Sequence, residues 1–207
     1  EVYKSALKIG PSLLDNPDSV LIFTIKLGNY FGGEKMLNIC VSNWMRLEDN
    51  TIPPRAKVSG AYANTALMIT DSKLAGFDDC ISISASGHVA EGSAMNFFIV
   101  EGNTLVTTQT TSNILVGVTR NTIMEIAKEE LGMEVCEREI DRTELYTANE
   151  AFFCGTGAQV APIGSIDHRP VGDGKMGEKT AAISKLYFDI VRGKNEKYKK
   201  WCTPIYE

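Results

Sequence analysis

Short apolar runs set off by polar turns alternate with three longer stretches in which apolar residues return every three or four positions. The short runs at 20–25, 37–41, 80–84 and 96–100 predict strands. Glu101-Gly102-Asn103 interrupts the last of them, and an extended pattern resumes over 104–106, which predicts a hairpin. Further strands are predicted at 135–138, 151–154 and 163–166. The longer stretches predict helices. Small and apolar residues fill 60–74 and Gly76 follows as a stop. Over 120–131, Ile123, Ile126, Ala127 and Leu131 line one face and Gly132 ends it. Over 180–192, Ile183, Leu186, Tyr187 and Ile190 repeat in the same way before Gly193. No repeat or low-complexity linker breaks the chain, and strands do not alternate regularly with helices. The expected fold is α+β, a mixed or antiparallel sheet core with flanking helices. Residues 1–16 read as the trailing edge of another domain, and 17–207 as the main unit.

Composition narrows the partners. The 207 residues are 43% hydrophobic and 23% charged, enough for a sizeable core. A net charge of -5 argues against a nucleic-acid binder held by phosphate contacts. The lysines at 194, 197, 199 and 200 read as a solvated face. No apolar run reaches bilayer length and no signal peptide opens the chain, so a cytoplasmic protein with no membrane partner is expected. The five cysteines include no Cys-x-x-Cys pair. Cys40, Cys80 and Cys154 lie in apolar runs and are expected to be reduced, buried thiols. Neither of the two histidines has a partner at metal-ligand spacing, so no metal is expected.

The run Ile52-Pro53-Pro54-Arg55-Ala56-Lys57-Val58-Ser59-Gly60-Ala61-Tyr62-Ala63-Asn64 sets Lys57 just after a stiff proline turn. A lone lysine in a turn is ordinarily solvated, but this run resembles the cofactor-bearing segment of the fold-type IV pyridoxal-phosphate enzymes. Pyridoxal 5'-phosphate has four handles, and other segments match each. Its aldehyde takes a neutral lysine amine, so burial or nearby positive charge is expected to lower the pKa of Lys57. Its ring nitrogen calls for a carboxylate, and Glu91 is the candidate, although taken locally it reads as an exposed loop residue. Its phenolic oxygen calls for a donor, and Tyr62 is within reach over the first helical turn. Its phosphate suits Leu115-Val116-Gly117-Val118-Thr119-Arg120, a glycine turn running into a helix start with Thr119 as the expected N-cap. A second glycine turn, Cys154-Gly155-Thr156-Gly157-Ala158, offers backbone N–H groups for a carboxylate, and is otherwise an ordinary strand-end turn.

Read in order, the chain resembles the branched-chain aminotransferases over nearly its whole length. The matching pieces are Trp44-x-Arg46, Asn50-Thr51-Ile52-Pro53, Ala56-Lys57 with Tyr62, Glu91-Gly92 with Asn96, and Gly117-Val118-Thr119-Arg120. They continue through Glu144-Leu145-Tyr146, Gly155-Thr156, Gly172-x-Gly174, Gly177 with Thr180, Gly193 with Tyr198, and Trp201 with Thr203-Pro204. The resemblance implies the large domain of a fold-type IV enzyme. Lys57 would be the Schiff-base lysine and catalytic proton shuttle, with Tyr62 on the phenolic oxygen and Glu91 on the ring nitrogen. Leu115, Gly117, Val118 and Thr119 would hold the phosphate; Thr156 and Gly157 would meet phosphate and substrate carboxylate. The implied reaction is transamination of leucine, isoleucine or valine with 2-oxoglutarate, in a homodimer or higher homo-oligomer. The same fold also serves D-amino-acid transaminases and aminodeoxychorismate lyases, and a non-catalytic fragment or assembly partner is a further reading.

Departures accompany the match. Family members carry a small domain ahead of this segment that supplies a phosphate-binding arginine. Val2-Tyr3-Lys4-Ser5 stands where members have tyrosine, arginine and proline, and Gly157 and Glu178 differ from the commonest choices. The expectation is a chain that lacks the small domain.

Overall fold

Successive residues of Phe97-Phe98-Ile99-Val100 enter two different cores, and this period-two alternation organises the molecule. The computed structural model describes residues 1–26, 28, 30, 31 and 35–205. Among these, β1 (Val2–Lys4) and β2 (Asp18–Val20) pair antiparallel as a separate small sheet. The main sheet begins with β3 (Leu37–Val41), followed by α1 (Tyr62–Leu74), β4 (Asp79–Ile83) and β5 (Val89–Gly92). The hairpin of β6 (Asn96–Glu101) and β7 (Thr104–Thr108) leads to α2 (Val118–Leu131) and β8 (Glu134–Arg138). Then come β9 (Glu150–Gly155), β10 (Gln159–Ile166), β11 (Arg169–Pro170) and α3 (Glu178–Val191).

The strand order is β5-β4-β3-β10-β9-β6-β7-β8, with β11 on β10. Pairing is parallel at β3–β4, β3–β10 and β7–β8, and antiparallel elsewhere along this path. The sheet is therefore mixed, one of the two forms that the sequence left open. Parallel neighbours need a crossover; α1 supplies it between β3 and β4, and α2 between β7 and β8. The loop after β3 carries Lys57, and the loop after β7 carries Gly117. Both chemistry-bearing loops thus leave the carboxyl ends of parallel strands, where open sheets place their ligand crevices.

On one face, Phe98 and Phe152 stack with centroids 5.0 Å apart under Ile123 and Ile126 of α2 and Ile183, Tyr187 and Ile190 of α3. On the other, Phe97 and Phe153 join Leu37, Ile39 and Ile81, so strands from both ends of the sheet close round one cluster. Fully burying one such ring contributes about 1.5–3 kcal/mol.

Several elements differ from the sequence expectation. The strand expected over 20–25 ends at Val20, and 21–26 is irregular and exposed. The Leu21 N–H finds the Glu1 carbonyl, but β1 is only three residues long and offers no further edge to pair with. The strand expected at 163–166 starts earlier, because 159–162 pairs with β9 while Ile163 onward pairs with β3. β5 was not expected. All five cysteines are free, with Cys80 and Cys154 buried and Cys40 half-buried. Burial pushes the Cys80 thiol up to about 12 and raises Cys154 as well. Among the described residues no helix is long and apolar enough to cross a membrane.

Candidate active site

Between the two crossover loops lies a cavity of about 590 Å³, and all nine candidate cofactor- and substrate-binding residues line it. Lys57 comes from the β3–α1 segment and Tyr62 from the first position of α1. Glu91 comes from β5; Leu115, Gly117, Val118 and Thr119 surround the start of α2; Thr156 and Gly157 sit in the β9–β10 turn.

The cavity has a wet side and a dry side. Lys57 is exposed, so of the two causes expected to act on its amine, burial is not the one present. The turn that carries it is fixed by the Ala56 N–H on the Pro53 carbonyl and by the buried Pro54, and this holds the lysine at the mouth. Its Nζ stands 5.9 Å from the Tyr62 ring centroid, and Tyr62 is itself 44% exposed. Thr156 is also exposed.

Glu91 forms the dry side. It is only 3% exposed, not the loop glutamate its local sequence suggested, because it lies on β5, a strand paired to β4, where its carbonyl accepts from the Ser82 hydroxyl. Its carboxylate forms an ion pair with Arg46 Nη2 at 2.6 Å, and accepts from Asn96 Nδ2 at 3.0 Å and from the Leu115 N–H at 3.3 Å to each oxygen. Burial pushes the Glu91 carboxyl up to about 7, against the opposing pull of Arg46, Leu115, Lys57 and Arg120. Arg46 and Asn96 appear in the sequence only as members of matching motifs. A polar residue opening the buried run Asn96–Glu101 is the one signal that could have singled out Asn96; nothing local singles out Arg46.

The start of α2 is a natural anion cradle. Gly117, not Thr119, is the N-cap, with φ -72° and ψ 140°, and no side chain caps the helix. Thr119 falls inside the first turn and is buried. A Cβ on Gly117 would stand 2.2 Å from Asn96 Oδ1, so only glycine lets this loop lie against the residue that holds Glu91. The Asn96 Nδ2 also donates to the Leu115 carbonyl at 2.7 Å. Thr156, Gly157 and Ala158 form the tight turn between β9 and β10, with Gly155 paired to Gln159. Among the described residues no group of acids, cysteines and histidines could hold a metal ion.

Residues 7–166 match the amino-transferase class IV family. A probable branched-chain-amino-acid aminotransferase of Aquifex aeolicus is 43% identical over 99% of this chain and 66% of its own length. The branched-chain-amino-acid aminotransferase of Pseudomonas aeruginosa is 38% identical over 90% of this chain and 61% of its own. The chain therefore spans less than two thirds of the length of these relatives. Among solved structures, the Thermobaculum terrenum branched-chain amino acid aminotransferase in its PLP form superimposes with a TM-score of 0.95. It is 34% identical, and the match covers 100% of this chain and 67% of that one. The branched-chain aminotransferase of Thermoproteus uzoniensis, solved with norvaline, gives a TM-score of 0.94 at 37% identity, with 99% and 67% covered.

Proposed function

The chain belongs to the class IV aminotransferases, and from that premise we propose that it works as a branched-chain aminotransferase. In this reading it moves the amino group of leucine, isoleucine or valine to 2-oxoglutarate with pyridoxal 5'-phosphate as cofactor. The observation that carries the reading is the meeting, around one cavity, of an exposed lysine, a buried carboxylate and a helix start without a side-chain cap. These are the donors and acceptors that the cofactor's aldehyde, ring nitrogen and phosphate require, and the tight approach at Gly117 fits a cradle for a phosphate group.

When bound, the cofactor supplies an electron sink that eases loss of the α-proton of an amino acid. Lys57 Nζ is then the covalent attachment point and the group that takes that proton and returns it elsewhere. Its place at the open mouth lets it swing between these tasks. Tyr62 donates to the phenolic oxygen. Glu91 holds a proton on the ring nitrogen and gains there a second positive partner for its buried charge. The N–H groups of the Gly117–Thr119 turn hold the phosphate, with Leu115 alongside. Thr156 and Gly157 orient phosphate and substrate carboxylate. The substrate class rests on the names of the relatives, and the alternation of amino donor and acceptor at one lysine makes the kinetics ping-pong. A homodimer or higher homo-oligomer in the cytoplasm, with 1–16 leading into a cofactor-binding unit over 17–207, completes the proposal.

Borohydride reduction in the presence of pyridoxal 5'-phosphate, followed by peptide mass spectrometry, tests it. A reduced adduct on Lys57, lost in Lys57→Ala with folding intact, is the expected result. An adduct on another lysine, or faster turnover of D-alanine than of L-leucine, would overturn it.

A further inference from the structure

Glu91 does not stand alone on the dry side of the cavity. We propose that Arg46 is a positioning residue that favours the ionised form of the Glu91 carboxyl against the cost of its burial and locks it to the 113–117 segment leading into α2. Both side chains are withdrawn from water, 9% exposed for Arg46 and 3% for Glu91, and they meet at 2.6 Å. A second edge of the same guanidinium, Nε, donates to the Asn113 carbonyl at 3.2 Å. Asn113 is in turn fixed by its Nδ2 on Glu48 Oε2 at 2.8 Å, and Glu48 by the Ala85 N–H on Oε1 at 3.0 Å. On the far side, Asn96 bridges Glu91 to the Leu115 carbonyl, while the Leu115 N–H returns to the carboxylate. Residues 113 and 115 are therefore held by the same pair that sets the charge of Glu91, two residues before the Gly117 cap.

The other charged or titratable groups facing Glu91 are Lys57 from the mouth, Arg120 from α2 and the Cys154 thiol from β9. Arg120 is engaged with Glu137 and the Thr108 carbonyl, and Lys57 is exposed. Arg46 is the cation in direct ion-pair contact, at 2.6 Å. A buried carboxylate that loses such a partner takes up a proton instead. A protonated Glu91 presents an O–H donor where one acceptor site stood, which weakens the hold of the carboxyl on the Asn96 and Leu115 donors and loosens a tether of the loop. One residue thus couples the charge of Glu91 to the place of the anion cradle.

The functional part of this inference rests on the reading of Glu91 as the ring-nitrogen partner, but its first test does not. In the cofactor-free full chain, pH-dependent infrared difference spectra, with Glu91→Gln identifying the band, follow the Glu91 carboxyl directly. Arg46→Met is expected to raise its midpoint by at least one pH unit, about tenfold in proton affinity. Arg46→Lys, which keeps the charge but gives up the forked donor, gives a smaller rise and serves if Arg46→Met does not fold. An unchanged midpoint in a folded variant overturns the proposal. With pyridoxal 5'-phosphate added, Arg46→Met and Glu91→Gln should each weaken uptake about tenfold or more, and the double variant should lose little beyond either. Fully additive losses would overturn the coupling. A raised midpoint in a protein that places no cofactor on Lys57 would leave Arg46 as assigned and sink the aminotransferase reading instead.

Discussion

Helices α2 and α3 begin alike and end up with opposite surroundings. One opens Gly117-Val118-Thr119-Arg120, the other Gly177-Glu178-Lys179-Thr180. Each has a glycine cap at φ -72° with an extended ψ, 140° for one and 163° for the other, and neither cap residue brings a side chain. At α3, Glu150 from β9 closes the end. Its carboxylate accepts the Lys179 N–H at 3.1 Å, the Thr180 N–H at 2.7 Å and the Thr180 hydroxyl at 2.6 Å. At α2 the nearby acid is Glu91, and its acceptors are occupied by Arg46, Asn96 and Leu115. The fold provides its own anion for one helix dipole and turns the other toward a cavity. An uncapped helix start therefore indicates an anion site only after the neighbouring strands have been checked for a carboxylate.

The two acids offer the largest way to sharpen this contrast. Glu91 lies in a dry pocket and is protonated more readily in the folded than in the unfolded chain. A raised carboxyl contributes stability that is full below the unfolded value, near 4.5, and lost as pH rises through about 7. The shift corresponds to the order of 3 kcal/mol across that window in the cofactor-free protein. Urea unfolding at pH 5 and pH 8 should show this slope in the wild type and a flatter one in Glu91→Gln; equal slopes would mean that burial does not dominate Glu91.

A somewhat smaller effect is expected at the closed helix. A Cβ on Gly177 would stand 1.9 Å from Glu150 Cδ, so Gly177→Ala must push the carboxylate off its three donors. We expect a loss of about 2 kcal/mol, seen as a fall of roughly 5 °C in Tm, with the Lys57 adduct unchanged in the protein that remains folded. If Tm holds and cofactor uptake falls instead, the roles assigned to the two helices are reversed.

The smallest effect separates the helices directly. Inorganic phosphate at about ten times its Kd should stabilise the wild type by about 1.4 kcal/mol through the α2 start. Gly117→Ala, whose Cβ intrudes on Asn96, should erase the gain, whereas Glu150→Gln should keep it. Equal stabilisation of all three proteins would place the anion elsewhere.

Much of this site was legible as sequence because its parts are local. The proline turn before Lys57, the glycine turn before α2 and the glycine stops at Gly76, Gly132 and Gly193 are set by backbone preferences within a few residues. The last three take positive φ, at 86°, 60° and 68°. The N-cap was misplaced by two residues because Thr119 is a good capping residue by type, while packing against Asn96 favours glycine at the cap. The strand expected over 20–25 failed for a related reason: an apolar pattern creates demand for a partner edge but does not supply one.

By itself the sequence determined the helices, the central hairpin, the α+β class and the candidate residues that meet at the cavity. All of these follow from short-range periodicity, turn chemistry and ordered motifs. Tertiary structure alone decided that Glu91 is buried and Lys57 exposed, that Arg46 reaches Glu91 from 45 residues away, and that Glu150 closes α3 while α2 stays turned to the cavity. Those outcomes depend on which strand ends up beside which loop. Burial and charge pairing are properties of neighbours in space, and the crossovers at β3–β4 and β7–β8 bring those neighbours together.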